Sequence, residues 1–187
     1  MILSQPIQDV LIQYMTTTAL RKKPQGSKKQ PTTFNFRKVK PVTLSQVSYA
    51  WLKRQNSIGI IIIPAVHLKL PIYRGLNNNN LVKGAGTMKP RQKMGEENYA
   101  LAGHHMTNPR ILFSPLQNIK LGNTIYLISK SKKVYSYRVT QKKIISKYQI
   151  NYIKNIGKKR IVTLITCASG KPEEPRRIMV RGILNQG

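Results

Sequence analysis

From residue 57 onward the chain is a series of short runs of β-branched and aromatic residues, each followed by turn-forming residues. Runs of this kind predict β-strands, and seven or eight of them with few helices indicate an all-β barrel or sandwich. Residues 60–63 do not alternate, so we expect them to be buried on both faces of their sheet. The strand-like runs are SIGIIIIPAVHLKLPIY, NYALAGHHM, ILFSPL, NTIYLIS, KVYSYRVTQKKIIS, RIVTLITCAS and RRIMVRGIL.

The first part of the chain differs from this strand-rich part. Residues 3–20 carry a helical stripe of apolar residues, whereas residues 21–38 are basic, contain no acid and include Pro and Gly. We therefore predict an N-terminal extension at residues 1–38, made of a helix and a flexible basic arm, and a folded domain at residues 39–187. Within this domain TLSQVSYAWLKRQ predicts one short helix before the strands begin.

The charge of the chain limits the class of its partners. It has 33 Lys and Arg residues against five Asp and Glu, and its formal net charge of +28 favours an anionic partner such as nucleic acid, a polyanionic cell wall or an anionic membrane. A single cysteine excludes an internal disulfide. No run approaches the roughly 20 apolar residues of a membrane-spanning helix. The opening residues lack the basic region of a signal peptide, so any anchor is expected upstream of this sequence.

The single cysteine, Cys167, ends the run RIVTLITC and is followed by Ala, Ser and Gly. Strand alternation places it on the same face as Thr163 and Ile165, and on the opposite face from Leu164. A side chain at a strand end beside a loop is well placed for chemistry. A free cysteine is more often a buried apolar residue, so Cys167 taken alone favours packing over reactivity.

Two adjacent histidines, His104 and His105, follow a run whose two faces differ in size. Bulky Tyr99 and Leu101 share one face with His105, whereas Ala102 shares the other face with His104. The small residues leave room for another group to approach, which favours His104 as the functional histidine. A zinc site is not expected, because it needs about three or four ligands.

The last run begins with two arginines, Arg176 and Arg177. Arg176 would share the core face with Ile178, whereas Arg177 would share the opposite face with Met179. A cation is costly on a core face, so Arg177 is the better candidate for a functional group. Most basic residues in such a chain are solvated surface residues, so Arg177 taken alone does not establish a functional site.

A thiol, an imidazole and a guanidinium near strand ends form a plausible set for nucleophilic catalysis. A free thiol with a pKa of about 8.5 is only about 3% thiolate at pH 7. A neighbouring imidazolium raises that fraction, and the same histidine then protonates a leaving amine. An arginine stabilises the oxyanion or holds the substrate backbone.

Three motifs occur in the order found in one known family. TLITC, YALAGHH and RIMVRG resemble the cysteine, histidine and arginine motifs of the class A sortases, the cysteine transpeptidases of Gram-positive bacteria, and the resemblance covers about residues 40–187. It implies a closed β-barrel of about eight strands, the sortase fold, with short helices. By position it assigns Cys167 as the nucleophile, His104 as the acid and base, and Arg177 as the substrate clamp or oxyanion helper.

The resemblance also implies a reaction and its partners. A sortase cleaves an LPxTG-type sorting signal between Thr and Gly through a thioacyl-enzyme intermediate, and an amino group of a cell-wall precursor of the lipid II type then accepts the surface protein. The expected location is the extracellular face of the membrane, anchored by an N-terminal transmembrane helix that this chain does not contain. Residues 147–159 are expected to form a wall of the substrate groove. The predicted groove residues are Met88, Ala102, Ile165, Thr166, Ile150 and Ile153.

No cofactor is expected. Some class A sortases are activated by calcium, which takes 6–8 oxygen ligands and prefers carboxylates. Here Glu96 and Glu97 are the only acids in the region before the histidines, and residues 147–159 contain none. The sequence therefore predicts calcium independence.

Two alternatives remain open at this stage. A basic barrel of the OB type that binds nucleic acid fits the charge and the aromatic residues interleaved with lysines in KVYSYRVTQKK, although it does not explain the three motifs together. A pilin-polymerising sortase often has a lid over its site, and no insertion suited to a lid is present. We therefore expect protein anchoring, and no nucleic acid as partner.

Overall fold

Eight strands close into one barrel within residues 57–185, the part of the chain that this computed structural model describes. Around the barrel the order is β1-β2-β3-β4-β7-β8-β6-β5, and β5 pairs back to β1. The predicted closed, all-β barrel of about eight strands is confirmed. The strands are β1 (Gly59–Ile63), β2 (Leu68–Tyr73), β3 (Ala85–Thr87), β4 (Asn98–Ala102), β5 (Thr124–Ser129), β6 (Val134–Ser146), β7 (Ile161–Cys167) and β8 (Arg176–Leu184).

Within residues 57–185 the helices are short and lie in the connections between strands. The one α-helix of this part of the chain, α1 (Asn78–Leu81), follows the capping residue Asn77, whose side chain accepts a hydrogen bond from the Asn80 backbone N–H. Three 3-10 helices complete the regular structure of residues 57–185, at Pro64–Val66, Ser114–Asn118 and Ile150–Ile153.

The directions of the strands bring three of their ends together. β4 and β7 pair in parallel, and β8 pairs with β7 in the antiparallel sense. The carboxyl ends of β4 and β7 therefore meet the amino end of β8 at one end of the barrel. These are the strand ends that carry the three sequence motifs.

Two apolar clusters cover the two faces of these same strands. The larger cluster fills the barrel and includes Tyr99, Leu101 and Leu164, all at most 1% exposed. The smaller one lies on the opposite face of β4, β7 and β8, as the period of two in a strand requires. Burial of each such side chain stabilises the fold by about 1.5–3 kcal/mol. The smaller cluster consists of Leu76, Leu81, Met88, Ala100, Ala102, Ile145, Ile165 and Met179.

The sequence interpretation was wrong for one run and missed one strand. ILFSPL is not a strand: only Leu112 forms an isolated bridge, with His105, and the 3-10 helix Ser114–Asn118 follows. Pro115 explains the difference, because proline has no N–H to donate to a ladder and is tolerated in the first turn of a helix. The missed strand, Ala85–Thr87, is only three residues long and contains a glycine.

Several other predictions concern particular segments. Residues 60–63 are buried on both faces of their strand, as predicted. The predicted helix at residues 3–20, the basic arm at residues 21–38 and the helix in TLSQVSYAWLKRQ lie outside the described residues. None of the helices between residues 57 and 185 is long and apolar enough to cross a membrane.

Candidate active site

Cys167 and Arg177 are direct cross-strand partners at the end of β7 and the start of β8. Side chains paired in this way lie on the same face of the sheet, with Cβ atoms about 4.5–5.5 Å apart. On the other side of β7, Ala102 of β4 is paired with Ile165. Cys167 lies two residues beyond Ile165, and His104 lies two residues beyond Ala102. Cys167 and Arg177 are thus paired directly, and His104 follows the end of the neighbouring strand β4.

Hydrogen bonds fix the backbone on both sides of His104. The Gly103 N–H donates to the Ile165 carbonyl at 3.2 Å, and the Thr166 hydroxyl donates to the Gly103 carbonyl at 2.8 Å. On the other side, the His105 Nδ1–H donates to the Cys167 carbonyl at 2.8 Å. The segment that carries His104 is therefore tied directly to the end of β7.

Gly103 also has a steric role beside His104. A Cβ atom at this position would lie 2.7 Å from the ring of Phe113, which is fully buried in the barrel. The Phe113 N–H in turn donates to the His104 carbonyl at 2.9 Å. The glycine lets the histidine segment lie flat against this ring, which explains the A-G-H pattern in the sequence.

The thiol and the imidazole are both partly withdrawn from water. Burial lowers the pKa of His104 to about 4. Burial also raises the pKa of the Cys167 thiol; the Arg177 guanidinium lowers it and the Glu174 carboxylate raises it. At pH 7 the resting pair is therefore a neutral imidazole and a thiol. The His104 Nε2 is buried and has no hydrogen-bond partner among residues 57–185.

The loop between β7 and β8 orients Arg177. Its Nη1 donates to the backbone carbonyls of Glu174 and Arg176. The Glu174 carboxylate accepts from the Ser169 hydroxyl at 2.7 Å and from the Arg176 N–H and Nε at 3.0 and 3.1 Å. The hydrogen bond from Ser169, followed by those from Arg176, lowers the pKa of Glu174 to about 2. Glu174 is thus ionised, and its carboxylate holds the loop between β7 and β8 closed. Its backbone carbonyl lies against the Arg177 guanidinium.

The two arginines at the start of β8 have different surroundings. Arg177 lies on the face of Met179, as alternation predicts, and this is the face of the smaller cluster. Arg176 has the parity of the core residue Ile178 but lies at the barrel end, where its side chain is 68% exposed and pairs with Glu174. Its position at the strand end thus avoids the cost of a buried cation.

Four of the predicted groove residues lie together on the smaller cluster: Met88, Ala102 and Ile165 belong to the cluster, and Ile153 packs against it. Thr166 is buried and bonded to the histidine segment instead, and Ile150 is half exposed and outside the cluster. Ile153 belongs to the 3-10 helix Ile150–Ile153, so this helix contacts the smaller cluster.

No group of three or more His, Cys, Asp or Glu side chains within residues 57–185 is placed to hold a metal ion. The groups that the site does bring together are a thiol, a guanidinium paired with it across the sheet, and an imidazole on the neighbouring segment, which fit nucleophilic catalysis.

A family model described as a sortase domain matches residues 61–185. The chain belongs to the sortase family. Sortase A of Streptococcus agalactiae serotype III is 36% identical over 198 residues, an alignment that covers 100% of this chain and 79% of that protein. The match over almost the full length identifies a class A sortase, a cysteine transpeptidase that acts on surface proteins with an LPxTG-type signal and on an amine acceptor.

Solved sortase structures give the same result. The crystal structure of Listeria monocytogenes sortase A superposes with a TM-score of 0.67 at 37% identity, covering 71% of this chain and 89% of that chain. A sortase C1 of GBS pilus island 1 has a TM-score of 0.62 at 27% identity, over 72% of this chain and 68% of that chain. Since the class A relatives are more similar, the pilin-polymerising alternative is not favoured, and the nucleic-acid-binding alternative gains no support.

Several residues at the site of this sortase were missed by the sequence interpretation. His105 had been contrasted with His104, but its ring binds the carbonyl of the cysteine. Glu174 contributes to the sequence interpretation only as one of five acids. Its signal is its place two residues before a pair of arginines, which offer a carboxylate nearby cations to pair with.

Proposed function

We propose that Cys167, His104 and Arg177 carry out transpeptidation of LPxTG-type sorting signals in this sortase. The observation that supports this most directly is the cross-strand pairing of Cys167 with Arg177, with His104 two residues beyond Ala102, the partner of Ile165. In the proposed substrate groove a peptide carbonyl would reach the thiol while the preceding residues of the signal lie along the smaller apolar cluster.

In the first half-reaction the Cys167 sulfur attacks the carbonyl carbon of the signal's Thr. The thiol proton moves to the His104 imidazole, and Arg177 donates hydrogen bonds to the oxyanion or to the adjacent substrate backbone. The C–N bond to Gly breaks, and the imidazolium gives its proton to the leaving amine. The products are a thioester on Cys167 and the released carboxyl-terminal peptide.

In the second half-reaction an amine attacks the thioester carbonyl carbon. His104 accepts a proton from the attacking amine, and the C–S bond breaks as the new amide bond forms. The thiolate takes up a proton and the resting enzyme returns. The proposed acceptor is the amino group of a lipid II-type cell-wall precursor, so the net change exchanges one amide for another.

The proposed groove receives the Leu-Pro part of the signal on apolar surface. Met88, Ala102 and Ile165 would form its floor and Ile153 its wall, with Ile150 at the outer margin. Thr166, which was also predicted to line the groove, would instead support the histidine segment through its bond to the Gly103 carbonyl. Transfer of apolar surface from water onto this floor favours binding by about 25 cal/mol per Å². A signal peptide that covers Cys167 would also keep water from the thioester, which favours the amine over hydrolysis.

The proposed location is the extracellular face of the membrane, with a transmembrane helix as the anchor. Both substrates are then held close to the same surface. The net charge of +28 favours proximity to an anionic lipid or wall surface. We do not expect nucleic acid to be a partner.

The direct test is incubation with an LPxTG peptide and a nucleophilic amine. We expect cleavage between Thr and Gly, a ligated product, and an acyl adduct on the tryptic fragment that contains Cys167, detected by mass spectrometry. A scrambled peptide serves as the control. An uncleaved LPxTG peptide, combined with tight salt-sensitive binding of oligonucleotides, would support the nucleic-acid alternative instead.

Arg177→Gln is expected to lower kcat/KM for the LPxTG peptide by about 10²–10³, the usual effect of removing an oxyanion donor. Arg176→Gln is the matched control, because it removes the same charge one residue away while Ser169 still binds Glu174. We expect less than about a fivefold loss there, the equivalent of one surface ion pair. Equal losses in both variants would contradict the assignment of Arg177.

Calcium is expected to leave the rate unchanged within about twofold, because a calcium site needs 6–8 oxygen ligands. Residues 147–159 bring no carboxylate to the groove. The measurement compares initial rates in millimolar calcium with rates in chelator, at matched ionic strength. A several-fold acceleration by calcium, absent with magnesium, would show that the prediction is wrong.

A further inference from the structure

A row of polar side chains crosses four neighbouring strands on the same face as the apolar cluster, at the end away from Cys167. It consists of Asn98 on β4, Thr163 on β7, Arg181 on β8 and Gln141 on β6. Thr163 is the direct cross-strand partner of Arg181, and Arg181 is the partner of Gln141. We call these four residues the polar row.

The polar row binds the backbone of the segment that forms the groove wall. The Asn98 amide Nδ2 donates to the carbonyls of Tyr152 and Lys154, both at 2.9 Å. The Arg181 Nη2 donates to the same Tyr152 carbonyl at 3.1 Å, and its guanidinium lies 5.6 Å from the centre of the Tyr152 ring. These two carbonyls flank Ile153, which packs on the floor of the groove.

Asn98 is fully buried, and both polar atoms of its side chain are hydrogen-bonded. Its Oδ1 accepts from the Thr163 hydroxyl at 2.8 Å, and its amide group makes the two bonds to the wall. Thr163 also accepts from the Arg181 Nε at 3.5 Å. A buried amide whose donors both point to one loop is costly to replace, because each lost partner leaves a desolvated polar group.

A second attachment holds the same wall from the outside. Asn155 accepts from the Lys89 Nζ at 2.5 Å and donates to the Glu97 Oε2 at 2.6 Å. Lys89 follows Met88 of the floor, and Glu97 precedes Asn98 of the polar row. The wall is therefore bonded to the two chain segments that lead into the groove.

Few other contacts hold the wall against the apolar cluster. Between β6 and β7 only Tyr152 and Ile153 pack against the cluster, and nearly all other side chains of residues 147–159 are exposed. The exposed residues include Lys154, Lys158 and Lys159, whose like charges favour separation rather than packing. The polar row thus supplies much of what keeps the wall in place.

We propose that Asn98 and Arg181 are positioning residues for the substrate groove. They hold the wall segment over the apolar floor before any substrate binds, and the groove is thereby formed in advance. The proposal rests on the proposed function of this groove. It makes substrate affinity depend on two side chains that lie on the far side of the apolar cluster from the thiol. A wall held in advance lowers the ordering cost of binding a peptide.

The test uses Arg181→Met, which keeps the length of the stem, and Asn98→Leu, which keeps the shape of the amide. For an LPxTG peptide we expect KM to rise about tenfold while kcat changes less than about twofold, the pattern of lost binding without lost chemistry. Asn155→Ala, an exposed change, should give a smaller rise in KM. The control is Arg138→Met, which removes an exposed arginine from β6 outside the polar row and should leave KM unchanged.

Hydrogen exchange gives a second readout that does not depend on activity. In Arg181→Met the amides of residues 150–156 should exchange at least about tenfold faster, while the amides of β4, β7 and β8 keep their protection. Exchange that is unchanged in the wall, or faster throughout the barrel, would overturn the proposal. Unchanged KM in Arg181→Met and Asn155→Ala would overturn it as well, even if Asn98→Leu does not fold.

Failure of this inference is distinguishable from failure of the proposed function. If the wild-type protein does not process the LPxTG peptide, the proposed function fails, and exchange in the wall still decides whether the polar row holds it. If the wild type is active and KM and exchange in the variants equal those of the wild type, only the positioning proposal fails.

Discussion

Cys167→Ala is expected to abolish peptide cleavage and ligation, with kcat lowered by about 10⁴ or more, as for the removal of other covalent nucleophiles. The chain has no other cysteine that takes over the attack. The change is small for the fold, because the bonds that anchor β7 here use the Cys167 carbonyl and its neighbours rather than the thiol. Initial rates with an LPxTG peptide and an amine measure the effect.

Binding of the peptide provides the control for Cys167→Ala. Its dissociation constant should stay within about threefold of the wild-type value, since the apolar floor is intact and only one sulfur atom is lost. A variant that binds the peptide and retains more than a few per cent of the wild-type rate would contradict the assignment of Cys167 as nucleophile. Loss of binding together with activity would indicate a packing role instead.

His104→Ala is expected to lower kcat by about 10³, within the usual range of 10²–10⁴ for a general acid and base. The leaving amine then departs without a proton donor. His105→Gln is the matched control, because it removes the adjacent imidazole and the bond to the Cys167 carbonyl. The loss of that single bond corresponds to about a fivefold effect. A larger loss in His105→Gln than in His104→Ala would reverse the assignment of the two histidines.

The pKa values of His104 and Cys167 lead to a further prediction about the reactivity of the thiol. Because burial lowers the pKa of His104 to about 4, its imidazole is neutral at pH 7 and does not stabilise a resting thiolate. Burial raises the pKa of the Cys167 thiol, so alkylation by iodoacetamide should keep accelerating as the pH rises from 7 to 9. We expect His104→Ala to change this alkylation less than about threefold, although turnover falls by about 10³. Alkylation and turnover falling in parallel would indicate a resting thiolate–imidazolium pair.

The sequence predicted the face of the strand on which each site residue lies, because side chains alternate with a period of two in every strand. Tyr99 and Leu101 face the interior and Ala102 faces the smaller cluster. The same rule correctly separated Arg177 from Ile178. It failed for ILFSPL, where a proline and a buried serine decide the local structure and no alternation exists to detect.

The sequence did not predict which strands pair with each other. That Cys167 is opposite Arg177, and that β4 is parallel to β7, depends on contacts between residues far apart in the chain. The hydrogen bond from His105 and the closure of the loop by Glu174 follow from that pairing, so neither had a local signal. Asn98 did have a local signal, since it begins the same alternating face as Ala100 and Ala102. Its hydrogen-bond partners, however, lie in a segment without regular spacing.

The order of the strands also determines how the parts of the site come together. The bond between His105 and Cys167 joins residues 62 positions apart, and the strand that carries Arg177 is the last one in the barrel. Closing a long loop costs entropy before any contact is gained. A chain that lacks β8 would have Cys167 without the arginine opposite it, so the proposed catalytic set is complete only when β8 has paired with β7.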